Sequence, residues 1–106
     1  MKIAIVISTN DNENSWNAVR FGNFCVGKNE SVKIFLIGKG VEAEQMSSEK
    51  FNTKEQMEKF VAGKGEIFAC GTCFKVRNSE GTELCPLSTM NDLYEMVKEA
   101  DKVVTF

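Results

Sequence analysis

Apolar and polar positions alternate in blocks along this chain, and the blocks carry two different periods. Lys2-Ile-Ala-Ile-Val-Ile-Ser8 is a continuous apolar run, as a parallel strand buried on both faces requires. The polar stretch Ser8–Asn12 is rich in helix-capping residue types and leads into a helix predicted from about Glu13 to Gly27. Ala18, Phe21 and Cys25 recur there at helical spacing, flanked by Trp16, Val19 and Phe24, so a wide inward face is expected. Cys25 on that face reads as a small core residue. Val32–Ile37 is a second strand, ended by Gly38-Lys39-Gly40. That loop lacks full phosphate-loop spacing and the Ser or Thr after its lysine, so it reads as a tight turn. A short helical turn from Val41 to Gln45 follows.

Thr53-Lys-Glu-Gln56 has the form of a capping box and opens a second helix reaching about Ala62. Met57, Phe60 and Val61 make its inward stripe. The opposite charges Lys54/Glu58 and Glu55/Lys59 make a solvated outer face. Gly63 and Gly65 release the chain into a third strand, Glu66–Cys70, which a short helix follows. Ser79–Leu87 reads as a loop. Ser88 or Thr89 caps a last helix to about Ala100, with Met90, Leu93, Val97 and Ala100 inward, and Val103–Phe106 is a closing strand. Strands alternating with helices predict an α/β fold: a mainly parallel sheet of four to five strands, with right-handed crossovers placing helices on both faces. Four strands are located and a fifth is not. The apolar closing strand needs cover, which a subunit interface would supply.

Composition narrows the classes. A length of 106 residues suits one domain over 1–106, and 42% hydrophobic residues suffice for one modest core. A net charge of −2 with interleaved signs gives no footprint for nucleic acid or an anionic membrane. No apolar run approaches the roughly 20 residues that cross a bilayer. The first apolar run turns polar without a small-residue cleavage site, so it reads as a strand, and the expected compartment is cytoplasmic and reducing. Four cysteines then need not pair, and the lack of histidine removes every Ser-His or Cys-His dyad.

The candidate chemistry is Cys70-Gly71-Thr72-Cys73, where the third strand ends. Carboxyl ends of parallel strands collect ligands, and a helix start supplies free amides and partial positive charge that favour a thiolate. Gly71 permits a sharp exit, Thr72 is the expected cap, and Cys73 falls in the first turn, three residues after Cys70. Arg77 is the candidate electrostatic helper, one turn past Cys73. Four readings stay open: two small core residues, a thioredoxin-like disulfide without the usual tryptophan and proline, a metal site, or sulfur transfer through a cysteine persulfide. The metal reading takes Cys70, Cys73 and Cys85, with Cys25 or another subunit completing the set. No resident cofactor or metal is assigned.

Cys70 closing the third strand, with Phe74-Lys75-Val76-Arg77-Asn78 after it, resembles the DsrE/DsrF/TusD-like sulfur-relay family. So does the strand exit Phe35-Leu36-Ile37-Gly38-Lys39-Gly40-Val41. Cys70 matches the family's active cysteine and Arg77 its arginine, while Asn78 stands where glycine is common. The resemblance implies a three-layer α/β/α sandwich, Rossmann-like, assembled as a homotrimer or hexamer. It implies a sulfur carrier that takes sulfane sulfur from a donor protein onto Cys70 and passes it to an acceptor protein. Cys73 and Cys85 depart from the single-cysteine pattern. Cys73 would resolve the persulfide or serve as a second thiol, and Cys85 would extend the relay or bind metal.

Overall fold

The computed structural model describes residues 1–106. Five strands pair in parallel: β1 (Lys2–Ile7), β2 (Ser31–Leu36), β3 (Glu66–Cys70), β4 (Leu87–Ser88) and β5 (Lys102–Thr105). Their order across the sheet is β4-β3-β2-β1-β5. The chain therefore steps outward from β1 to β4 and then crosses back to lay β5 on the far side of β1. Between the strands run α1 (Asn12–Gly27), α2 (Thr53–Ala62), α3 (Gly71–Val76) and α4 (Met90–Glu99), with a 3₁₀ turn at Gly38–Glu42.

Side-chain alternation along the strands assigns the two faces. Ile5 and Ile34 point toward α1 and α2, where their tips and the Phe60 ring close around Gly22. Lys2, Ala4 and Lys33 point the other way, into a cleft that Met96 and Glu99 of α4 also line. Helices thus cover both sides, as the sequence pattern implies. The core between these layers includes Ile5, Ile7, Ile34, Phe35, Met57 and Phe60, and Cys25 joins it as expected.

The fifth strand is the two-residue β4, inside the segment that reads as loop from sequence. Leu87 pairs with Ala69 and Ser88 with Cys70, so β4 borders the sulfur-bearing end of β3. Several element ends also move. Asn52, not Thr53, caps α2 by accepting the Glu55 amide, while Thr53 is buried and its hydroxyl accepts from Asn12 Nδ2 at 3.2 Å. The helical turn starts at Gly38 rather than Val41. Thr89 caps α4 in a reciprocal box with Asp92.

Three helices end in the same way. The residue after the C-cap is left-handed at Asn29 (φ 66°), Lys64 (φ 75°) and Asn78 (φ 51°). Paired amide bonds return from Glu30 to Cys25, from Gly65 to Phe60 and from Ser79 to Phe74, which are Schellman turns. Gly63 and Gly65 flank the second turn, but Lys64 carries its strained dihedral. Asn78, in the position where the family resemblance expects glycine, adopts the backbone conformation glycine favours.

Three inward stripes differ from expectation. On α4 only Met96 is buried; Leu93 and Ala100 are half-buried, and Met90 and Val97 are exposed. On α1, Phe24 is 65% exposed, and Phe21 leans on the Phe106 ring at the sheet's edge. Val61 of α2 is likewise exposed.

Candidate functional site: a thiol pair at the carboxyl end of the sheet

Strand β3 delivers Cys70 to the sheet's carboxyl edge, where it becomes the N-cap residue of α3. Its φ of −60° and ψ of 115° are extended, so the turn into the helix falls between Cys70 and Gly71. Gly71 begins the helix with no special dihedral. Thr72 is exposed in the first turn and does not cap, contrary to expectation; no side chain caps α3. Cys73 follows one residue later, and its thiol neighbours the Cys70 thiol. All four cysteines are free. Cys70 is 6% exposed, whereas Cys73 is half-buried and reaches solvent.

The 3₁₀ turn supplies the rest of the site. The Gly38 amide donates to Cys73 Sγ at 3.2 Å. Gly38 holds φ at +57°, where L side chains are strained, and this dihedral belongs to the turn that aims the amide at the sulfur. Two residues on, Gly40 passes so close to β1 that a Cβ would lie 1.9 Å from the Ile7 carbonyl oxygen. The glycine loop is thus a tight turn, as read from sequence, and its amide also serves the thiol pair.

Arg77 lies at the far end of α3. Its Nε donates to Glu42 Oε2 at 2.7 Å and its Nη1 to the Cys73 carbonyl at 3.1 Å. Asn10 Nδ2 donates to the other Glu42 oxygen at 3.4 Å. The Arg77 and Asn10 bonds hold the Glu42 carboxyl below the usual carboxylate range. Sequence reasoning missed Gly38 as an amide donor, and missed Glu42 and Asn10 entirely.

These surroundings do not activate Cys73 in the way the helix-start argument predicts. Burial, then the Cys70 thiol, push the Cys73 thiol above its ordinary range; the Gly38 amide and the Arg77 charge pull the other way without offsetting them. The physical reason is that the thiol is drawn partly out of water beside a second thiol, and one amide with an ion-paired guanidinium does not make up for that.

Cys85 stands apart. It is 1% exposed, and burial followed by the Glu44 carboxylate pushes its thiol up to about 12. Its amide donates to the Thr82 hydroxyl at 3.1 Å, and that hydroxyl donates to Glu44 Oε1 at 2.8 Å. Nowhere do three or more Cys, Asp or Glu side chains gather in a way that would hold a metal ion. The Cys70, Cys73 and Cys85 ligand set is therefore not assembled.

The DsrE/DsrF-like family model matches residues 1–106, the whole chain. The chain belongs to the DsrE/DsrF-like family. That family is generally associated with sulfur relay. An uncharacterised protein of Methanopyrus kandleri is 38% identical over 103 residues, covering 89% of this chain and 83% of the relative. One of Methanocaldococcus jannaschii is 33% identical over 114 residues, covering both chains fully. Among solved structures, the Escherichia coli YchN protein superposes with a TM-score of 0.87 at 25% identity, covering 100% of this DsrE-like chain and 99% of its own. The BT1422 protein of Bacteroides thetaiotaomicron reaches 0.79 at 15% identity, covering 99% and 94%, and shares the fold. No helix of this DsrE-like chain is long and apolar enough to cross a membrane.

Proposed function

We propose that this protein is a sulfur carrier that holds sulfane sulfur on the Cys70–Cys73 pair. The observation that carries the reading is the pair itself: two neighbouring free thiols at the carboxyl end of a parallel strand, one of them solvent-reachable and receiving a backbone amide. In the first step the Cys70 thiolate attacks the outer sulfur of a donor protein's persulfide. A new sulfur–sulfur bond forms on Cys70, the donor's bond breaks, and the donor leaves as a thiolate. An acceptor thiolate then takes the outer sulfur and returns Cys70 to its reduced form. Alternatively the Cys73 thiolate attacks Cys70 Sγ, forming a disulfide and expelling hydrosulfide. Because the Cys73 thiol is held above its ordinary range, this resolving step should quicken as pH rises.

A reducing, cytoplasmic setting belongs to the same proposal, since it keeps the four cysteines available. So does self-assembly as a trimer or hexamer. Met90, Tyr94 and Val97 expose an apolar stripe along α4, and Leu87 and Val103 are exposed at the sheet's two edges. This exposed surface also favours a second reading, a scaffold subunit without transfer chemistry.

Incubating the fully reduced protein with a persulfide donor and weighing it intact separates the two. The carrier reading expects an adduct of one sulfur atom in the wild type and none when Cys70→Ser and Cys73→Ser are combined. No adduct on the wild type would leave the scaffold reading. Cys73 is the more exposed thiol, so the single variants assign the acceptor: loading that survives Cys70→Ser places it on Cys73.

A further inference from the structure

We propose that Glu42 tunes the thiol pair by holding Arg77 in an ion pair, so that the guanidinium's pull on the Cys73 thiol is weakened. The inference deepens the sulfur-carrier reading, because it concerns what sets the reactivity of that same site. Arg77 is held from two directions. The Schellman turn at Asn78 fixes its backbone, and its Nη1 bond to the Cys73 carbonyl ties the guanidinium to the turn that carries the thiol. Left alone, such a cation would draw the neighbouring thiol toward ionisation.

Glu42 weakens this pull. Its carboxylate meets Arg77 Nε at 2.7 Å, and both side chains keep some solvent contact, at 27% for Arg77 and 32% for Glu42. The pair presents a dipole rather than a net charge to its surroundings, and a dipole's field falls off more steeply. Glu42 reaches this position because the 3₁₀ turn carries it beside α3, with Asn10 bracing its second oxygen. The groups acting on Cys73 are the Cys70 thiol, the Gly38 amide and Arg77; those acting on Glu42 are Arg77, Asn10 and, more weakly, Lys39. No other charged side chain is paired with Arg77. Glu42 touches no reacting atom, so it is a positioning residue acting through Arg77.

Site-resolved alkylation tests this without any sulfur donor. The intact reduced protein is treated with iodoacetamide across a pH series, and the rate at Cys73 is read from the fragment ions of the Gly65–Lys75 peptide, which separate Cys73 from Cys70. Glu42→Gln keeps an oxygen acceptor for Arg77 but removes the negative charge. Its profile is expected to move to lower pH, with Cys73 alkylated about three- to tenfold faster near neutrality, the effect of roughly half to one unit in thiol pKa. Glu42→Asp, which restores the charge, should return the rate toward wild type. Arg77→Gln should move the profile to higher pH, and the Glu42→Gln/Arg77→Gln double variant should fall back near wild type. A Glu42→Gln profile that coincides with wild type or moves upward overturns the proposal. So does a double variant as fast as Glu42→Gln alone, which also covers misfolding of one single variant. Since the readout is alkylation, the Glu42 inference can fail while persulfide loading stands, and the reverse.

Discussion

Gly40→Ala is the sharpest test of how the site is built. The added methyl carbon would sit 1.9 Å from the Ile7 carbonyl oxygen, 2.7 Å from its carbon and 3.2 Å from the Ser8 nitrogen. All three are backbone atoms, so no side chain can swing away. Relief requires the 3₁₀ turn to move off β1 by roughly 1 Å or more, because packed interiors hold such contacts near van der Waals distance. The same Ile7 oxygen accepts the Ile37 amide at 3.0 Å, a bond that joins the two strands just before the turn. Overpacking of this kind costs about 1–3 kcal/mol, and loss of that bond about 1 kcal/mol more. The expected destabilisation is therefore about 2–4 kcal/mol, and a domain of this size should lose about 10 °C or more in Tm. The site should suffer as well, since the displaced turn carries both the Gly38 amide and Glu42. Urea unfolding followed by circular dichroism measures the stability. Gly38→Ala serves as the comparison: its Cβ meets nothing within 4 Å, so only the left-handed dihedral penalises it, by about 1–2 kcal/mol. If Gly40→Ala unfolds within about 0.5 kcal/mol of wild type at unchanged slope, the close approach that anchors the site is refuted.

Two further outcomes follow from other residues. The buried Cys85 thiol titrates at about 12 in the folded protein and near 9 when unfolded, so the folded state keeps its proton longer. Its contribution is complete below pH 9 and is lost as pH rises toward 12, at about 1.4 kcal/mol per unit. Between pH 9 and 10.5, wild type should thus lose roughly 2 kcal/mol more than Cys85→Ala; equal losses would contradict the burial account. Lys64 holds a left-handed dihedral that glycine adopts freely, so Lys64→Gly should raise the urea midpoint, stabilising the fold by about 0.5–1 kcal/mol. A lowered midpoint would count against the strain argument.

What was legible in the sequence was whatever is local in it. The strands β1, β2 and β3 announce themselves because each is an apolar run long enough to show its period, and the Cys70–Cys73 pair because its members lie three residues apart on one turn. Strand β4 escaped because two residues have no period, and Pro86 before it looks like loop chemistry. The inward face of α4 was misjudged because helical spacing gives a stripe without saying which flank meets the sheet; the crossing over β1 buries Met96 and leaves Met90 and Val97 outside. Helix-cap chemistry was readable in kind but not always in register, as Asn52 beside Thr53 illustrates. Gly38 and Glu42 could not have been placed at the site from sequence. Each meets its partner 35 residues away, through a turn docked by a glycine's lack of a side chain.

The decisive measurement is to load the reduced protein from a donor carrying isotopically heavy sulfane sulfur and locate the label after trypsin digestion. One peptide, Gly65–Lys75, contains both Cys70 and Cys73, while Cys25 and Cys85 fall elsewhere. The account predicts one heavy sulfur on that peptide. If Cys73 resolves the persulfide, the labelled peptide gives way to one carrying an internal disulfide as heavy sulfide is released. Label confined to the Cys25 or Cys85 peptides, or no label at all, would contradict it.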